Sequence, residues 1–304
     1  MDLGYNGTLF ILAFDHRGSF RSKMFGIQGD PTPEEFARLE DAKRLVWEGF
    51  KAAVDSGRAP AGSAGILVDE EMGTSIAREA REAGVPLAMP IEKSGQNVFD
   101  FEYGDDFGSH LTAFDPSFAK VLVRWNPDDD AEIKQVQGER LKRLGDWLHA
   151  NDRKYLFELL VPASDRQMAL VGGDAAAYDS HLRPTFMLEA IHEILEAGVE
   201  PDIWKIEGID TVADSELISR LTRSGGREGV MSVVLGRGAD DAKVDHWLRM
   251  GAPVDGYGGF AIGRSIWWAG VEGWKDGTMD RAAAVESIAA NFGRFIDVYS
   301  SATN

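Results

Sequence analysis

The sequence predicts an α/β protein that forms a single (β/α)8 (TIM) barrel domain over residues 1–304. Eight short apolar runs alternate with longer amphipathic stretches, and a chain of 304 residues has room for eight strand–helix units. A doubly wound open sheet is the alternative fold. Such a sheet usually has a glycine-rich phosphate turn after its first strand, whereas this chain has Asp15-His16-Arg17-Gly18 there.

The individual elements follow from hydrophobic periodicity and from turn signals. The strand candidates, in chain order, are residues 9–15, 65–69, 85–91, 120–124, 154–161, 202–207, 229–235 and 255–260. The helix candidates are residues 34–56, 74–83, 130–149, 184–197, 212–223, 239–250, 264–274 and 279–300. Glycines at 84 and 198 end two of these helices, as is common just after a helix.

Two long segments carry no regular pattern. Residues 94–117 are rich in Gly, Asp and aromatic residues, and residues 162–182 separate the fifth strand from its helix. Irregular segments of this length are uncommon in a compact domain and are often functional. We therefore expect both to be loops on the active face of the barrel.

Composition excludes several classes of function. The chain has 32 Lys+Arg and 50 Asp+Glu, a formal charge of −18, which argues against nucleic acid and anionic membranes as partners. It has no cysteine, so disulfides, thiolate zinc sites, iron–sulfur clusters and a cysteine nucleophile are excluded. No segment reaches the about 18 apolar residues of a membrane-spanning helix, and the N-terminus has no signal-peptide pattern. We expect a soluble, cytoplasmic protein.

The most informative charge is Lys205, inside the short sixth strand candidate Ile203-Trp204-Lys205-Ile206. If Ile203 and Lys205 share the face toward the barrel interior, the amine is buried near the carboxyl end, where barrel active sites lie. Burial beside other cations favours the neutral amine, which can attack a carbonyl and form a Schiff base. The alternative is a lysine that reaches from the strand end to a surface carboxylate.

Other charges also lie in or end the apolar runs. Glu158 has apolar neighbours on both sides, so it is either a salt-bridged core residue or a general acid/base. Lys120 and Arg124 share one face of the fourth strand candidate. Asp15 and Lys93 end their strands, and so does Asp69, although a strand-ending acid is often only a helix N-cap.

Two glycine-rich turns follow the seventh and eighth strand candidates. The first contains Gly236, Arg237 and Gly238, and the second contains Gly263 and Arg264 at the start of a helix. Barrels often bind phosphate with these two loops and a helix N-terminus. Each turn alone is explained by chain reversal, but the pair, each with an arginine, predicts a phosphate site.

The six histidines show no metal-binding spacing, so no metal site and no cofactor are expected. His16 and His110 lie in segments predicted for the active face, where they are candidates for substrate contact. A metal-dependent lyase is kept as an alternative function, because scattered His and carboxylate residues can also bind a metal.

Four runs carry a family resemblance: residues 12–20 (LAFDHRGSF), 92–96 (EKSGQ), 101–104 (FEYG) and 120–127 (KVLVRWNP). They resemble the aldolase domain that is often fused to 5-dehydro-2-deoxygluconokinase in bacterial inositol catabolism, and the resemblance extends over essentially the whole chain. More distantly, the layout is similar to class I tagatose-bisphosphate and sulfofructosephosphate aldolases.

The resemblance implies a barrel with a Schiff-base lysine on its sixth strand. It implies roles for Lys205, Glu158, Lys120, Asp15, Lys93 and Arg264. Together with the residue patterns above, we expect catalytic roles for Lys205, Glu158, Lys120 and Asp15, and substrate binding by His16, Arg17, Lys93 and Arg124. We expect phosphate binding by Gly236, Arg237, Gly238, Gly263 and Arg264. Tagatose and sulfofructose enzymes usually have Gln where this chain has His16, a departure that concerns the substrate more than the chemistry.

The implied reaction is cleavage of 2-deoxy-5-keto-gluconate 6-phosphate to dihydroxyacetone phosphate and malonate semialdehyde. Neutral Lys205 attacks the ketone, Lys120 keeps it deprotonated by charge repulsion, and Glu158 moves protons. A sulfosugar phosphate or a ketose bisphosphate is the next substrate candidate. A non-catalytic regulatory barrel that binds sugar phosphates is the alternative from another functional class. We expect a small-molecule partner and a homo-oligomer.

Overall fold

The computed structural model describes residues 2–303. Its centre is a closed barrel of eight parallel strands, each paired with the next along the chain, with the eighth paired to the first. The strands are β1 (Leu9–Ala13), β2 (Ala64–Leu67), β3 (Leu87–Pro90), β4 (Phe118–Arg124), β5 (Lys154–Leu160), β6 (Ile203–Glu207), β7 (Met231–Leu235) and β8 (Tyr257–Ile262). The predicted (β/α)8 fold is confirmed.

Helices surround the barrel and cover its outer face. They are α1 (Pro33–Asp55), α2 (Glu70–Glu82), α3 (Phe107–Phe114), α4 (Ala131–Ala150), α5 (Asp165–Leu170), α6 (Ala175–Ala177), α7 (Arg183–Glu196), α8 (Val212–Thr222), α9 (Asp241–Gly251), α10 (Arg264–Lys275) and α11 (Arg281–Ser300). Within residues 2–303, none of these helices combines the length and apolarity needed to cross a membrane.

Four sequence predictions need correction. The segment 94–117 contains a 3-10 turn at Gly104–Asp106 and α3, and the segment 162–182 contains α5, α6 and a π-helical turn at Tyr178–Leu182. Helix α2 begins at Glu70 rather than at residue 74, because the Asp69 carboxylate accepts a hydrogen bond from the Met72 amide and caps the helix. Strand β8 lies two residues later than predicted.

The interior of the barrel is apolar toward the amino ends of the strands and charged toward their carboxyl ends. Phe118, Leu156 and Ile203 belong to the apolar cluster that fills the barrel. Because alternate strand residues share a face, Lys120, Glu158 and Lys205 follow them two residues later on the same interior face. This periodicity places three buried charges directly above the apolar core.

Candidate active site

A cavity of about 800 Å³ opens at the carboxyl ends of the strands. Barrel enzymes place their active sites at this end. With the exception of His110, every site residue predicted from the sequence lines the cavity: Asp15, His16, Arg17, Lys93, Lys120, Arg124, Glu158, Lys205, Gly236, Arg237, Gly238, Gly263 and Arg264. The fold therefore brings together side chains that are separated by up to 249 residues in the chain (15 to 264).

At the floor of the cavity, the amines of two lysines contact the same carboxylate oxygen. Lys205 on β6 and Glu158 on β5 are register partners, and their Nζ and Oε2 atoms are 2.9 Å apart. The same Oε2 atom lies 3.1 Å from Lys120 Nζ on β4. Lys205 is only 3% exposed. The lysine predicted to form a Schiff base is thus buried, and a carboxylate contacts its nitrogen.

Lys120 is the centre of this cluster of charges. Its Nζ lies 2.8 Å from Asp15 Oδ2 and 2.7 Å from Glu92 Oε1, in addition to the contact with Glu158. We call Asp15, Glu92, Lys120, Glu158 and Lys205 the Lys120 cluster. These three carboxylates offset much of the charge repulsion that Lys120 was expected to exert on Lys205, and they give Lys120 a second role as their common anchor.

Burial and ion pairing act in opposite directions on these groups. Burial alone would lower the pKa of Lys120, but Asp15, Glu158 and Glu92 raise it well above its ordinary value. Burial alone would raise the pKa values of Asp15 and Glu158, but the charge of Lys120 holds both below their ordinary values. In the unliganded site Lys120 is therefore a cation, and Asp15 and Glu158 are anions, so Glu158 is in the form that can accept a proton.

Sequence reasoning missed Glu92 as a site residue. It follows β3, lines the cavity and is 6% exposed. Its backbone carbonyl accepts a hydrogen bond of 2.6 Å from Arg17, whose guanidinium also pairs with Glu102 at 2.8 Å. Arg17 is thus engaged within the cavity wall. The signal for Glu92 was its place beside Lys93 at a strand end, the same kind of position that singled out Asp15.

His16 is a neutral imidazole in this setting. Burial, assisted by the positive charge of Arg264, lowers the pKa of His16 to about 4 despite the neighbouring Asp15 carboxylate. Its ring packs edge-on against Trp267, with 5.6 Å between ring centroids. Its buried Nδ1 atom has no hydrogen-bond partner among residues 2–303.

His110 does not join the cavity lining, so its expected substrate contact is not supported. Its Nδ1 atom lies 3.0 Å from Glu70 Oε2, and its ring stacks on Tyr103. The unpredicted helix α3 carries His110 against the start of α2, outside the cavity lining.

The loops after β7 and β8 form a rim of glycines around Arg264. A Cβ atom at Gly263 would lie 2.4 Å from the Ala13 carbonyl oxygen, so this position excludes any side chain. Gly263 is also the N-cap of α10, and no side chain caps that helix. Arg264 donates to the Arg237 carbonyl at 2.8 Å and makes no ion pair within the described chain. The rim thus presents an unpaired cation beside a free helix N-terminus.

Arg237 differs from Arg264 because carboxylates surround it. Its Nη1 atom lies 2.8 Å from Asp179 Oδ2, and its Nε atom lies 3.0 Å from Glu207 Oε1. Arg183 pairs with the same two carboxylates. Arg237 therefore ties the β7 loop to the Tyr178–Leu182 turn, and less of its charge is available to a ligand.

Two further cations lie on the opposite wall. Lys93 follows β3 and is exposed, and Arg124 ends β4 and donates to the Gln96 carbonyl at 2.6 Å. Neither forms an ion pair with another described residue. In a closed ring of eight strands, β3 and β4 stand across from β7 and β8, so these cations face the glycine rim.

The chain belongs to a family of uncharacterised proteins conserved in bacteria, DUF2090, whose model matches residues 5–303. It is also similar to tagatose 1,6-diphosphate aldolase of Listeria monocytogenes, with 28% identity over 206 residues that cover 66% of this chain and 56% of the relative. The corresponding enzyme 1 of Streptococcus mutans is 27% identical over 210 residues, 66% and 58% of the two chains. The similarity thus spans somewhat more than half the length of these relatives.

Solved structures share the fold at low sequence identity. Fructose-bisphosphate aldolase of Plasmodium falciparum superposes with a TM-score of 0.68 at 14% identity, over 98% of this chain and 92% of that chain. A Schiff-base-forming fructose-1,6-bisphosphate aldolase gives a TM-score of 0.57 at 16% identity, over 96% and 94%.

Proposed function

We propose that this DUF2090 protein is a class I aldolase that cleaves a phosphorylated keto-sugar through a Schiff base on Lys205. One observation carries the proposal: a buried lysine amine lies 2.9 Å from a carboxylate at the floor of a large polar cavity. The similarity to tagatose 1,6-diphosphate aldolases supports the same reaction class. A carbon–carbon lyase of this kind needs no metal or cofactor.

Schiff-base formation starts when the neutral Lys205 amine attacks the substrate ketone. Glu158 Oε2, which contacts Lys205 Nζ, accepts a proton from the attacking amine and transfers it to the former ketone oxygen, which gives the carbinolamine. A second proton, taken up from solvent by Glu158 and passed to the same oxygen, lets it leave as water and leaves a protonated imine on Lys205. Lys120 stays protonated and holds Glu158 and Asp15 in place.

Carbon–carbon cleavage follows from the protonated imine, which accepts the electron pair of the breaking bond. Glu158 removes the proton of the hydroxyl group that becomes the aldehyde, and the enamine remains on Lys205 while the aldehyde departs. Return of this proton to the enamine carbon regenerates the imine, and attack of water on the imine releases the second product and the free amine. Asp15, Lys93 and His16 orient substrate hydroxyls in this proposal. Neutral His16 can donate from one ring nitrogen and accept at the other.

The phosphate binds at the glycine rim. Arg264 supplies a charge that no carboxylate in the described chain offsets, and the N-terminus of α10 supplies free backbone amides. Gly236, Gly238 and Gly263 allow the phosphate to approach the backbone closely. Arg237 contributes less to phosphate binding, because it already pairs with Asp179 and Glu207.

Our favoured substrate is 2-deoxy-5-keto-gluconate 6-phosphate, which yields dihydroxyacetone phosphate and malonate semialdehyde. Such a substrate has a phosphate at one end and a carboxylate at the other. Lys93 and Arg124, across the ring from the phosphate rim, suit a second anionic group. A ketose bisphosphate is the second candidate, because the curated relatives are tagatose 1,6-diphosphate aldolases.

Borohydride trapping tests the chemistry directly. The protein is incubated with dihydroxyacetone phosphate, reduced, digested and analysed by mass spectrometry. We expect an adduct on Lys205 and none on Lys154, a partly buried lysine at the other end of the barrel. If no adduct forms while dihydroxyacetone phosphate still binds, the chain is a sugar-phosphate sensor rather than an aldolase.

A substrate panel then separates the candidates. We expect the highest kcat/KM with 2-deoxy-5-keto-gluconate 6-phosphate, lower values with tagatose 1,6-bisphosphate and sulfofructose phosphate, and the same rates after treatment with a chelator. Loss of activity in chelator would instead indicate a metal-dependent lyase.

A further inference from the structure

Three buried polar atoms in the cavity lining have no hydrogen-bond partner among residues 2–303. They are His16 Nδ1, Glu92 Oε2 and Gln96 Nε2. Leaving a buried polar atom unpaired costs about 1–3 kcal/mol, so folded proteins rarely leave several in one place unless a ligand completes them. Among these three, Glu92 carries a group whose protonation state decides whether it donates or accepts.

The charges around Glu92 determine its protonation state. Its other oxygen, Oε1, contacts Lys120 at 2.7 Å, and Arg17 lies 3.9 Å from the same atom. Both cations also serve other carboxylates: Lys120 pairs with Asp15 and Glu158, and Arg17 pairs with Glu102. Three carboxylates therefore already face these two cations before Glu92 is counted.

A fourth negative charge beside these two cations is unfavourable, because Glu92 is buried and would lose hydration as an anion, whereas a neutral carboxyl group adds no charge. Consistent with this, burial raises the pKa of Glu92, with Asp15 acting in the same direction, and the opposing effects of Lys120 and Arg17 do not cancel the rise.

We propose that Glu92 is a protonated carboxylic acid whose Oε2 hydroxyl donates a hydrogen bond to the half of the substrate that leaves as the aldehyde. Glu92 follows β3, across the ring from the phosphate rim after β7 and β8, so it faces the end of the substrate distant from the phosphate. A neutral donor there suits a hydroxyl or a carboxylate oxygen. This inference deepens the proposed function and rests on it.

Two variants separate a neutral donor from a charged partner of Lys120. Glu92→Gln keeps a neutral group with an N–H donor, whereas Glu92→Leu removes the donor at similar volume. With 2-deoxy-5-keto-gluconate 6-phosphate we expect kcat/KM to fall less than about tenfold in Glu92→Gln and about 100-fold in Glu92→Leu. Equal large losses in both variants would show that Glu92 acts as an anion and would overturn the proposal.

Infrared spectroscopy reads the proton itself. The difference spectrum of wild type minus Glu92→Gln at neutral pH is expected to contain the C=O band of a protonated carboxyl group, and its absence would refute the neutral state. The band reports only the protonation state of Glu92; retention of kcat/KM in Glu92→Gln together with its loss in Glu92→Leu is the result that a merely structural role would not produce.

Borohydride trapping on Lys205 distinguishes a failure of the aldolase proposal from a failure of the Glu92 proposal. If dihydroxyacetone phosphate is trapped on Lys205 in wild type and in both Glu92 variants, but Glu92→Leu keeps the wild-type kcat/KM, the aldolase assignment stands and the role of Glu92 is wrong. If no adduct forms in wild type, the proposed function fails and the substrate contact of Glu92 fails with it.

Discussion

The two ends of the barrel each hold a buried cluster of carboxylate and lysine, but within residues 2–303 only one of the two clusters leaves a carboxylate oxygen without a hydrogen-bond partner. At the amino end, Asp202 accepts hydrogen bonds from the amides of Gly4 and Tyr155 and from the side chains of Lys154 and His149. We call these five residues the Asp202 cluster. At the carboxyl end, the Lys120 cluster leaves Glu92 Oε2 without a partner and lines a cavity.

The comparison shows how to tell a stabilising charge cluster from a functional one. Asp202 has four donors and no exposed surface, so it joins the starts of β5 and β6 to the chain segment before β1. Its pKa lies below the ordinary value, because these hydrogen bonds outweigh the effect of burial. The Lys120 cluster is similarly buried, but its groups complete their bonding only with a ligand.

The largest effect is expected from Lys205→Met compared with Lys154→Met. Loss of the nucleophile should reduce turnover by roughly 10⁴-fold or more, while the thermal midpoint stays the same or rises because a buried amine is removed. Lys154→Met should keep turnover and lower the midpoint. Steady-state kinetics measures turnover and calorimetry measures the thermal midpoint in both variants. Residual activity in Lys205→Met would contradict the assignment of Lys205 as the nucleophile.

The next largest effect concerns Asp202→Asn. Removing the charge leaves the partly buried Lys154 without its carboxylate, so we expect the free energy of unfolding at pH 7 to fall by about 3 kcal/mol, with turnover unchanged. Guanidinium unfolding measures the loss. A turnover defect in a fully folded Asp202→Asn protein would contradict the division between the two ends.

The pH dependence of the same variant gives a sign test. The folded-state pKa of Asp202 is lowered, so its stabilisation is present above the unfolded value of about 3.9 and is lost as the pH falls toward the folded value. The stability difference between wild type and Asp202→Asn should therefore shrink as the pH falls below about 4.

A smaller effect separates the two arginines of the rim. Arg264→Gln should raise KM by about 10- to 100-fold and weaken binding of inorganic phosphate, because it removes an unpaired cation. Arg237→Gln should change KM less, since Asp179 and Glu207 already occupy its guanidinium. Calorimetric titration with phosphate measures both, and the reverse order would assign the phosphate to Arg237.

The smallest effect is expected from His16→Gln. Because the pKa of His16 is about 4, the imidazole stays neutral throughout pH 5–8, and its titration makes no contribution to activity in that range. The pH profile of kcat/KM should keep its shape, with a change of a few-fold in magnitude. Disappearance of an acid limb near pH 6 in the variant would show that His16 titrates there.

Residue alternation explains why much of the site was predictable. Ile203 belongs to the apolar interior and Lys205 follows it by two residues, so the period of a strand alone puts the amine inside the barrel. Charges that lie within or at the ends of apolar runs are conspicuous in a sequence, and this pattern singles out Asp15, Lys120 and Glu158.

Pairing between distant segments was not predictable. No local pattern shows that Arg237 meets Asp179, 58 residues away, or that Glu92 shares Lys120 with Asp15. The start of α2 was misplaced for a related reason. Position 73 inside that helix is a glycine because a Cβ atom there would lie 2.3 Å from the Val68 side chain. This requirement comes from tertiary packing and cannot be read from the sequence.

The single oxygen that Glu158 shares between Lys120 and Lys205 restricts what any redesign can place there. An amide side chain offers one accepting atom and one donating atom, and in either orientation it meets the two amines less well than a group that only accepts. Exchanging the residue for its amide would therefore upset both nitrogens together. The three positions form a unit that is retained or replaced as a whole.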